Sequence, residues 1–203
     1  MANTPEKPEG IRERKRRETL RRIAETGLKL FVENGYDATT LDTIAAASGI
    51  SARTFFYYFR TKDEVLLFWQ GDGFLDALRS TLLQESPEQA PLDAVRNCLL
   101  KLTSLYETDQ SLVVDRVMQS SEALRTRKQA RFVQMEENVF TALCELWPQC
   151  ERHSALRMVA MVSIGAMRLA MQIWRQHGES RPLADYLRES FAILENQIQP
   201  SRA

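Results

Sequence analysis

The chain is poor in the residues that mark several protein classes. It has two histidines, His153 and His177, in 203 residues, which leaves few general bases. It has no Walker loop, Gly-rich dinucleotide loop, His-Glu-x-x-His pair, nucleophile elbow or close catalytic triad. An enzyme is not expected, nor is a cofactor or a bound metal. Its three cysteines, Cys98, Cys144 and Cys150, are an odd number, which argues against a disulfide framework and for reduced thiols. Eight glycines and seven prolines exclude collagen-like and low-complexity structure. No stretch holds the roughly 18 uninterrupted apolar residues that a membrane span needs. The opening MANTPEKPEGIRERKRRE lacks the apolar core of a secretory signal. The expectation is a cytoplasmic protein with no membrane contact.

Net charge is also missing, because 27 Lys and Arg balance 27 Asp and Glu, and this excludes a uniformly basic coat. The balance is uneven along the chain. Residues 1–63 carry 12 Lys/Arg against 9 Asp/Glu, a surplus of three that residues 64–203 cancel. Seven of the basic residues, Arg12, Arg14, Lys15, Arg16, Arg17, Arg21 and Arg22, crowd one end. Alone, such a cluster is a solvated helix face; beside a nucleic-acid motif it becomes a surface for phosphates. Hydrophobic residues at 44% and charged residues at 27% are ordinary for a soluble globular chain, and the length suits one or at most two domains.

The apolar residues repeat with the period of helices. Leu20, Ile23, Ala24, Gly27, Leu28 and Phe31 recur at three-and-four spacing from Ile11 to about Asn34, and Asn34-Gly35 closes that helix. Thr40 caps a short helix over 41–48 that buries Leu41, Ile44 and Ala45. After the turn Gly49-Ile50-Ser51, Ser51 caps a second short helix from 52 to about 59. That helix contains Phe55-Phe56-Tyr57-Tyr58-Phe59. Successive side chains stand about 100° apart around a helix axis, so five consecutive aromatics cannot all face inward. Thr61 to Glu64 reads as a capping box, the Thr side chain on the Glu N–H and the Glu returning to the Thr N–H, and predicts a helix from 62 to about 84. Beyond Pro87 and Pro91 come helices at about 92–108, 110–119, 121–147, 154–177 and 183–198, separated by breaks such as Trp147-Pro148 and Arg181-Pro182. With no sustained period-two alternation and no internal repeat, the fold is predicted all-α, with about nine helices.

Two short helices joined by a Gly-containing turn form either a helix-turn-helix, whose second helix enters a DNA major groove, or a generic corner of a helical bundle. Three details favour the first. Lys62 lies in the first turn of a helix, where the macrodipole disfavours a cation unless a phosphate docks there. Tyr57 and Tyr58 offer hydroxyls to phosphate oxygens. Arg53, in the first turn of the second helix, is placed to read guanine O6 and N7.

The run Thr39-Thr40, Ile44-Ala45, Ser48-Gly49-Ile50-Ser51, Thr54-Phe55-Phe56-Tyr57-Tyr58-Phe59 and Lys62-Asp63-Glu64-Val65-Leu66 resembles the DNA-binding domain of the TetR family of bacterial transcriptional repressors. The match covers about residues 16–67. The family's turn usually reads Ala-Gly-Val-Ser, against Ser48-Gly49-Ile50-Ser51 here. Where the family has a phosphate-contacting Tyr, this chain has Phe56, so that role is not carried over. The resemblance implies that Ala52, Arg53, Thr54 and Tyr57 face bases, that Thr40, Tyr58 and Lys62 meet the DNA backbone, and that Lys15, Arg16 and Arg17 reach toward the backbone or minor groove. It also implies a flexible N-terminus over 1–10, a DNA-binding domain over 11–61, and a ligand-binding and dimerisation domain over 62–203, with the helix from 62 linking the two. The expected partners are a palindromic double-stranded DNA operator, a second copy of the chain, and a small apolar or amphipathic effector that releases the operator.

In the C-terminal part the residues stand alone. Between Ser154 and His177 the apolar residues occupy more than one side of the helix, so one side suits the protomer's interior and another a partner subunit. Leu183, Tyr186, Leu187, Phe191, Leu194 and Ile198 on the next helix would complete a four-helix interface. Arg168 interrupts the apolar surface between Ile164 and Met171, either as an anchor for an anionic effector or as a salt bridge within the dimer. Phe68, Tyr106, Met118, Phe132, Met135 and Met161 are candidates to line a deformable apolar pocket. Two alternatives remain: a helical DNA-binding protein without an effector, and a redox-responsive regulator using Cys144 and Cys150, whose C-x5-C-x2-H spacing with His153 is faintly like a metal or redox site.

Overall fold

The computed structural model describes residues 11–70, 73–178 and 180–198; the N-terminal ten residues, expected to be flexible, lie outside them. The described residues form ten α-helices and one 3-10 turn at Cys150–Arg152. By its contacts the chain divides into two units, residues 1–71 with 113–121, and residues 72–112 with 122–203.

The N-terminal unit contains α1 (Ile11–Asn34), α2 (Leu41–Ala47), α3 (Ala52–Tyr58) and α4 (Lys62–Gln70). Ile23, Ala24, Phe31, Ile44, Phe55, Val65 and Leu66 are buried in its core. Gly35 ends α1 at a φ of 84° and Gly49 turns the chain between α2 and α3 at 69°, a region in which an L side chain is strained. Gly27 has a different reason. A Cβ there would lie 2.4 Å from Val65 Cγ1, so α1 and α4 touch backbone to side chain. The indole of Trp69 adds a second tie between them, donating to the Ala24 carbonyl at 3.0 Å.

The C-terminal unit is built from α5 (Gly73–Leu82), α6 (Pro91–Tyr106), α8 (Glu122–Leu146), α9 (His153–Gln176) and α10 (Leu183–Ile198), while α7 (Asp109–Gln119) crosses the division. Helix α9 is central: it packs on α10, α8 and α6. One core joins Leu78, Leu82, Val95, Val139, Leu143, Leu156, Ile164, Tyr186 and Phe191. Polar ties close the corners. Trp147 Nε1 donates to the Pro87 carbonyl and Trp174 Nε1 to that of Arg181, each at 3.0 Å, and the Glu107 carboxylate accepts the N–H of Leu183 at the start of α10.

The all-α expectation and most helix limits agree with the structure. Of the helix predicted over 62–84 the structure describes Lys62–Gln70 and Gly73–Leu82, with residues 71 and 72 outside the described residues; counted separately, these two bring the described helices to ten. Helix α4, expected to link the two domains, groups by its contacts with the N-terminal unit, where Val65 and Leu66 are buried. Helix α9 has the length and mean hydropathy, 1.4 over its best window, to cross a membrane. Nine of its residues are instead buried in the C-terminal unit.

Replacing Gly27 by Ala should lower unfolding free energy by about 1–3 kcal/mol, the usual cost of overpacking. In a Val65→Ala background the same replacement should cost less, a coupling that urea unfolding of the four proteins measures.

Candidate nucleic-acid interface

The α2–turn–α3 segment is organised by two matching caps. Thr40 Oγ1 accepts the N–H of Thr43 at 3.1 Å and shares a 2.7 Å bond with its hydroxyl. Ser51 Oγ does the same for Thr54, at 3.1 and 2.8 Å. Each cap satisfies a backbone donor that a helix start leaves open.

Seven-residue α3 then sorts its side chains. Phe55 is fully buried and Phe59, just past the helix end, nearly so. Arg53, Thr54, Phe56 and Tyr57 are exposed, Tyr57 at 73% and Phe56 at 53%. Ala52 and Tyr58 are half-buried, and the Tyr58 ring meets Tyr57 edge-on with centroids 5.1 Å apart. The arrangement is an inward aromatic anchor and an outward face of mixed chemistry, one guanidinium, one hydroxyl, one phenol and one apolar ring.

Lys15, Arg16 and Arg17 are exposed near the start of α1. Acidic residues one turn away temper this basic end: Arg16 lies 3.5 Å from Glu13 and Arg14 3.7 Å from Glu18. Such exposed pairs are weak, so phosphates compete with them readily.

Lys62 departs from expectation. Its ammonium donates to the carbonyls of Tyr36 at 2.7 Å and of Asp37 and Thr39 at 3.3 Å, and it sits 4.2 Å over the Tyr36 ring. Hydrogen bonds to a charged donor contribute about 1.5–3 kcal/mol, which outweighs a helix-dipole penalty of several tenths. The cation that seemed to need a phosphate is held by the protein's own α1–α2 corner. Tyr36 and Thr39, both buried, are the partners that sequence reasoning missed; backbone carbonyls leave no compositional signal. The capping box is also shifted: Thr61 Oγ1 accepts the Glu64 N–H at 3.2 Å, but the Glu64 carboxylate returns to the N–H of Arg60 at 2.7 Å, not to that of Thr61.

The pocket candidates are divided between the two units. Phe68 belongs to the N-terminal unit, edge-on to Phe59 and Trp69, as does buried Met118. Phe132 and Met135 lie in the C-terminal core. The side chain of Tyr106 lies outside the described residues. Met161 is 49% exposed, on the outer face of α9. Arg168 does not interrupt a buried surface: Ile164 and Met171 are buried, while Arg168 is exposed beside them. Its guanidinium donates to Gln129 Oε1 at 2.5 Å and lies 5.0 Å over the Phe132 ring.

The interface expected on α10 is corrected in the same way. Leu183, Tyr186, Leu187 and Phe191 are buried in the protomer's own core, Leu194 is half-buried, and the side chain of Ile198 lies outside the described residues. Ile193 is the large apolar residue that α10 exposes.

Neither described thiol, Cys98 or Cys144, has the lowered value of a reactive cysteine. Burial, with Glu85 nearby, pushes Cys98 up to about 12, and burial raises Cys144 too, whereas a reactive cysteine needs a lowered value. The Cys150 side chain lies outside the described residues, and His153 packs edge-on against Phe140 at 5.9 Å.

Two family profiles match the chain: bacterial regulatory proteins of the tetR family over residues 23–67, and the MftR C-terminal domain over residues 89–199. The transcriptional regulator TcmR of Streptomyces glaucescens is 39% identical over 100 residues, 48% of this chain and 44% of that protein. YuxN of Bacillus subtilis, an uncharacterised HTH-type transcriptional regulator, is 34% identical over 85 residues, 42% of this chain and 28% of that protein. The chain thus spans less than half the length of these curated relatives. Among solved structures, Thermus thermophilus FadR with lauroyl-CoA has a TM-score of 0.56 at 23% identity, covering 86% of this chain and 92% of that one. The SmeT–triclosan complex has a TM-score of 0.64 at 19% identity, covering 87% and 91%. These two likenesses are of fold.

Lys62→Met should lower the melting temperature and weaken DNA binding on every sequence alike, with an unchanged slope of log affinity against log salt. A slope smaller by about 0.9 per protomer would instead give Lys62 a phosphate.

Proposed function

Because the chain belongs to the TetR family of bacterial transcriptional regulators, with an MftR-type C-terminal domain, we propose that it binds a palindromic operator as a homodimer in the cytoplasm and represses until a small apolar or amphipathic molecule releases it. DNA-binding regulation comes with the family, which is not enzymatic. The observation that carries the finer reading is the outward face of α3. Arg53, Thr54 and Tyr57 are exposed on a helix that buried Phe55 fixes from behind, which is what a recognition helix in the 12 Å-wide major groove requires. Ala52 completes the base-facing set, Thr40 and Tyr58 meet the backbone, and Lys15, Arg16 and Arg17 add electrostatic grip. Lys62, expected at the backbone as well, also ties α4 to the α1–α2 corner through three carbonyls.

Dimerisation is supported by α9. Met158, Met161 and Leu169 are exposed there at helical spacing around Gly165, beside which a Cβ would meet nothing within 4 Å. A mid-helix glycine costs about 1 kcal/mol, and nothing within the protomer uses this one. The close approach of a second α9 would. Two protomers related by a twofold axis then present two recognition helices to a palindrome.

The effector class rests on analogy of fold: FadR holds lauroyl-CoA and SmeT holds triclosan, both ligands with a large apolar part. Release follows if the ligand prefers a conformation whose recognition helices no longer match the operator spacing.

A footprint on DNA adjoining this protein's own coding region, repeated with acyl thioesters and apolar acids, tests the whole reading; no protection at low ionic strength would overturn it. Arg53→Ala should relax preference at one base pair per half-site and cost about 1–3 kcal/mol at the preferred base. Equal weakening on all sequences would remove the base-reading role. Gly165→Trp should leave the fold intact but give monomers by light scattering, with DNA affinity falling in parallel; a dimer that survives places the interface elsewhere.

A further inference from the structure

We propose that Phe56 reads a thymine methyl, and so sets an A·T base pair in each half-site of the operator. The inference rests on the operator-binding reading above and adds to it a residue for which no DNA contact was expected. With about 100° per residue, Arg53 and Tyr57 straddle the middle of the exposed face of α3. Phe56 lies about 60° from Arg53 on one flank, and Thr54 occupies the other. Phe56 is 53% exposed. Its neighbour Phe55, buried behind it, meets it edge-on with centroids 6.0 Å apart and planes at 89°, so the ring has a backstop that limits where it can swing. The core of the unit is closed by Phe55 and Phe59 without it.

A benzyl ring has no donor for a phosphate oxygen and none for a base edge. In the major groove the apolar feature within its reach is the C5 methyl of thymine, and phenylalanine is among the side chains suited to that contact. Along the axis Phe56 stands about 4.5 Å beyond Arg53, roughly one base-pair step. The code expected of α3 is therefore a guanine for Arg53 with a thymine beside it.

The test first selects operators from a random duplex library at low salt with the purified full-length protein. Each selected thymine is then replaced singly by deoxyuridine, which removes only the methyl group. At one thymine per half-site the replacement should weaken the wild-type protein about fourfold, the worth of one buried methyl. The same replacement should leave the Phe56→Ala protein unaffected, while Phe56→Ala weakens binding to the unmodified operator by a similar factor. Equal deoxyuridine penalties in both proteins at every thymine would overturn the proposal. So would a Phe56→Ala loss that is the same on duplexes with and without that thymine, which is a sugar contact, or operators that tolerate any base pair next to the position set by Arg53. Failure to enrich any sequence is a different result: it overturns the operator-binding reading itself.

Discussion

One buried ring decides whether this chain has a recognition helix. An isolated helix of seven residues is far below the length at which helices persist in water, and the Ser51 cap contributes only about 1 kcal/mol. Phe55, with no exposed surface, supplies the tertiary anchor, and the burial of an aromatic side chain contributes about 1.5–3 kcal/mol. Once Phe55 points inward, the 100° step fixes every other residue on α3. Arg53 and Tyr57 must face out, and Phe59 returns to close the core past the helix end. The surface offered to DNA is thus a consequence of what the core consumes.

Two further contacts carry that anchoring to the rest of the N-terminal unit. Gly27 lets α4 approach α1 until Val65 nearly touches its backbone, and Lys62 at the head of α4 gathers three carbonyls from the α1–α2 corner. Helix α4 is therefore tied at both ends: through Lys62 to the corner from which Thr40 starts α2, and through Trp69 to the middle of α1. A displacement of α4 cannot leave that corner unchanged without breaking charged hydrogen bonds. These ties join the helix following the helix-turn-helix to that motif, and they depend on atoms that no sequence pattern advertises.

What was legible in the sequence is what local rules determine. The caps at Thr40 and Ser51, the turns at Gly35 and Gly49, and the exposure forced on an aromatic run all follow from neighbours within one or two turns, and each has its place in the structure. What was not legible depends on partners distant in the chain. For Lys62 a helix dipole is readable in the sequence, and the carbonyls of Tyr36, Asp37 and Thr39 to which it donates are not. Arg168 was placed on the buried stripe because Ile164 and Met171 flank it in sequence spacing, although it lies at the stripe's edge, where Gln129 and the Phe132 ring receive it. Of the six α10 residues expected at a partner, the four that are buried, Leu183, Tyr186, Leu187 and Phe191, are indistinguishable by period alone from residues that face the protomer's own core. Hydropathy reports that a face is covered, not which molecule covers it.

Helix α9 carries that ambiguity on two sides. Its buried side carries Leu156, Ala160, Ile164, Met167 and Met171, with small residues admitting the neighbouring helices. Its open side carries Met158, Met161 and Leu169 around Gly165. The two sides both carry large apolar residues but differ in chemistry. The buried side mixes Ala with large side chains, as interdigitation within one core demands. The open side sets flexible Met around a residue with no side chain at all, which suits a surface that must meet its own symmetric copy, where the helices cross near the axis and each protrusion needs a matching hollow. Their place on one continuous stripe, opposite a core already closed, is what supports the proposal that a second protomer covers that face.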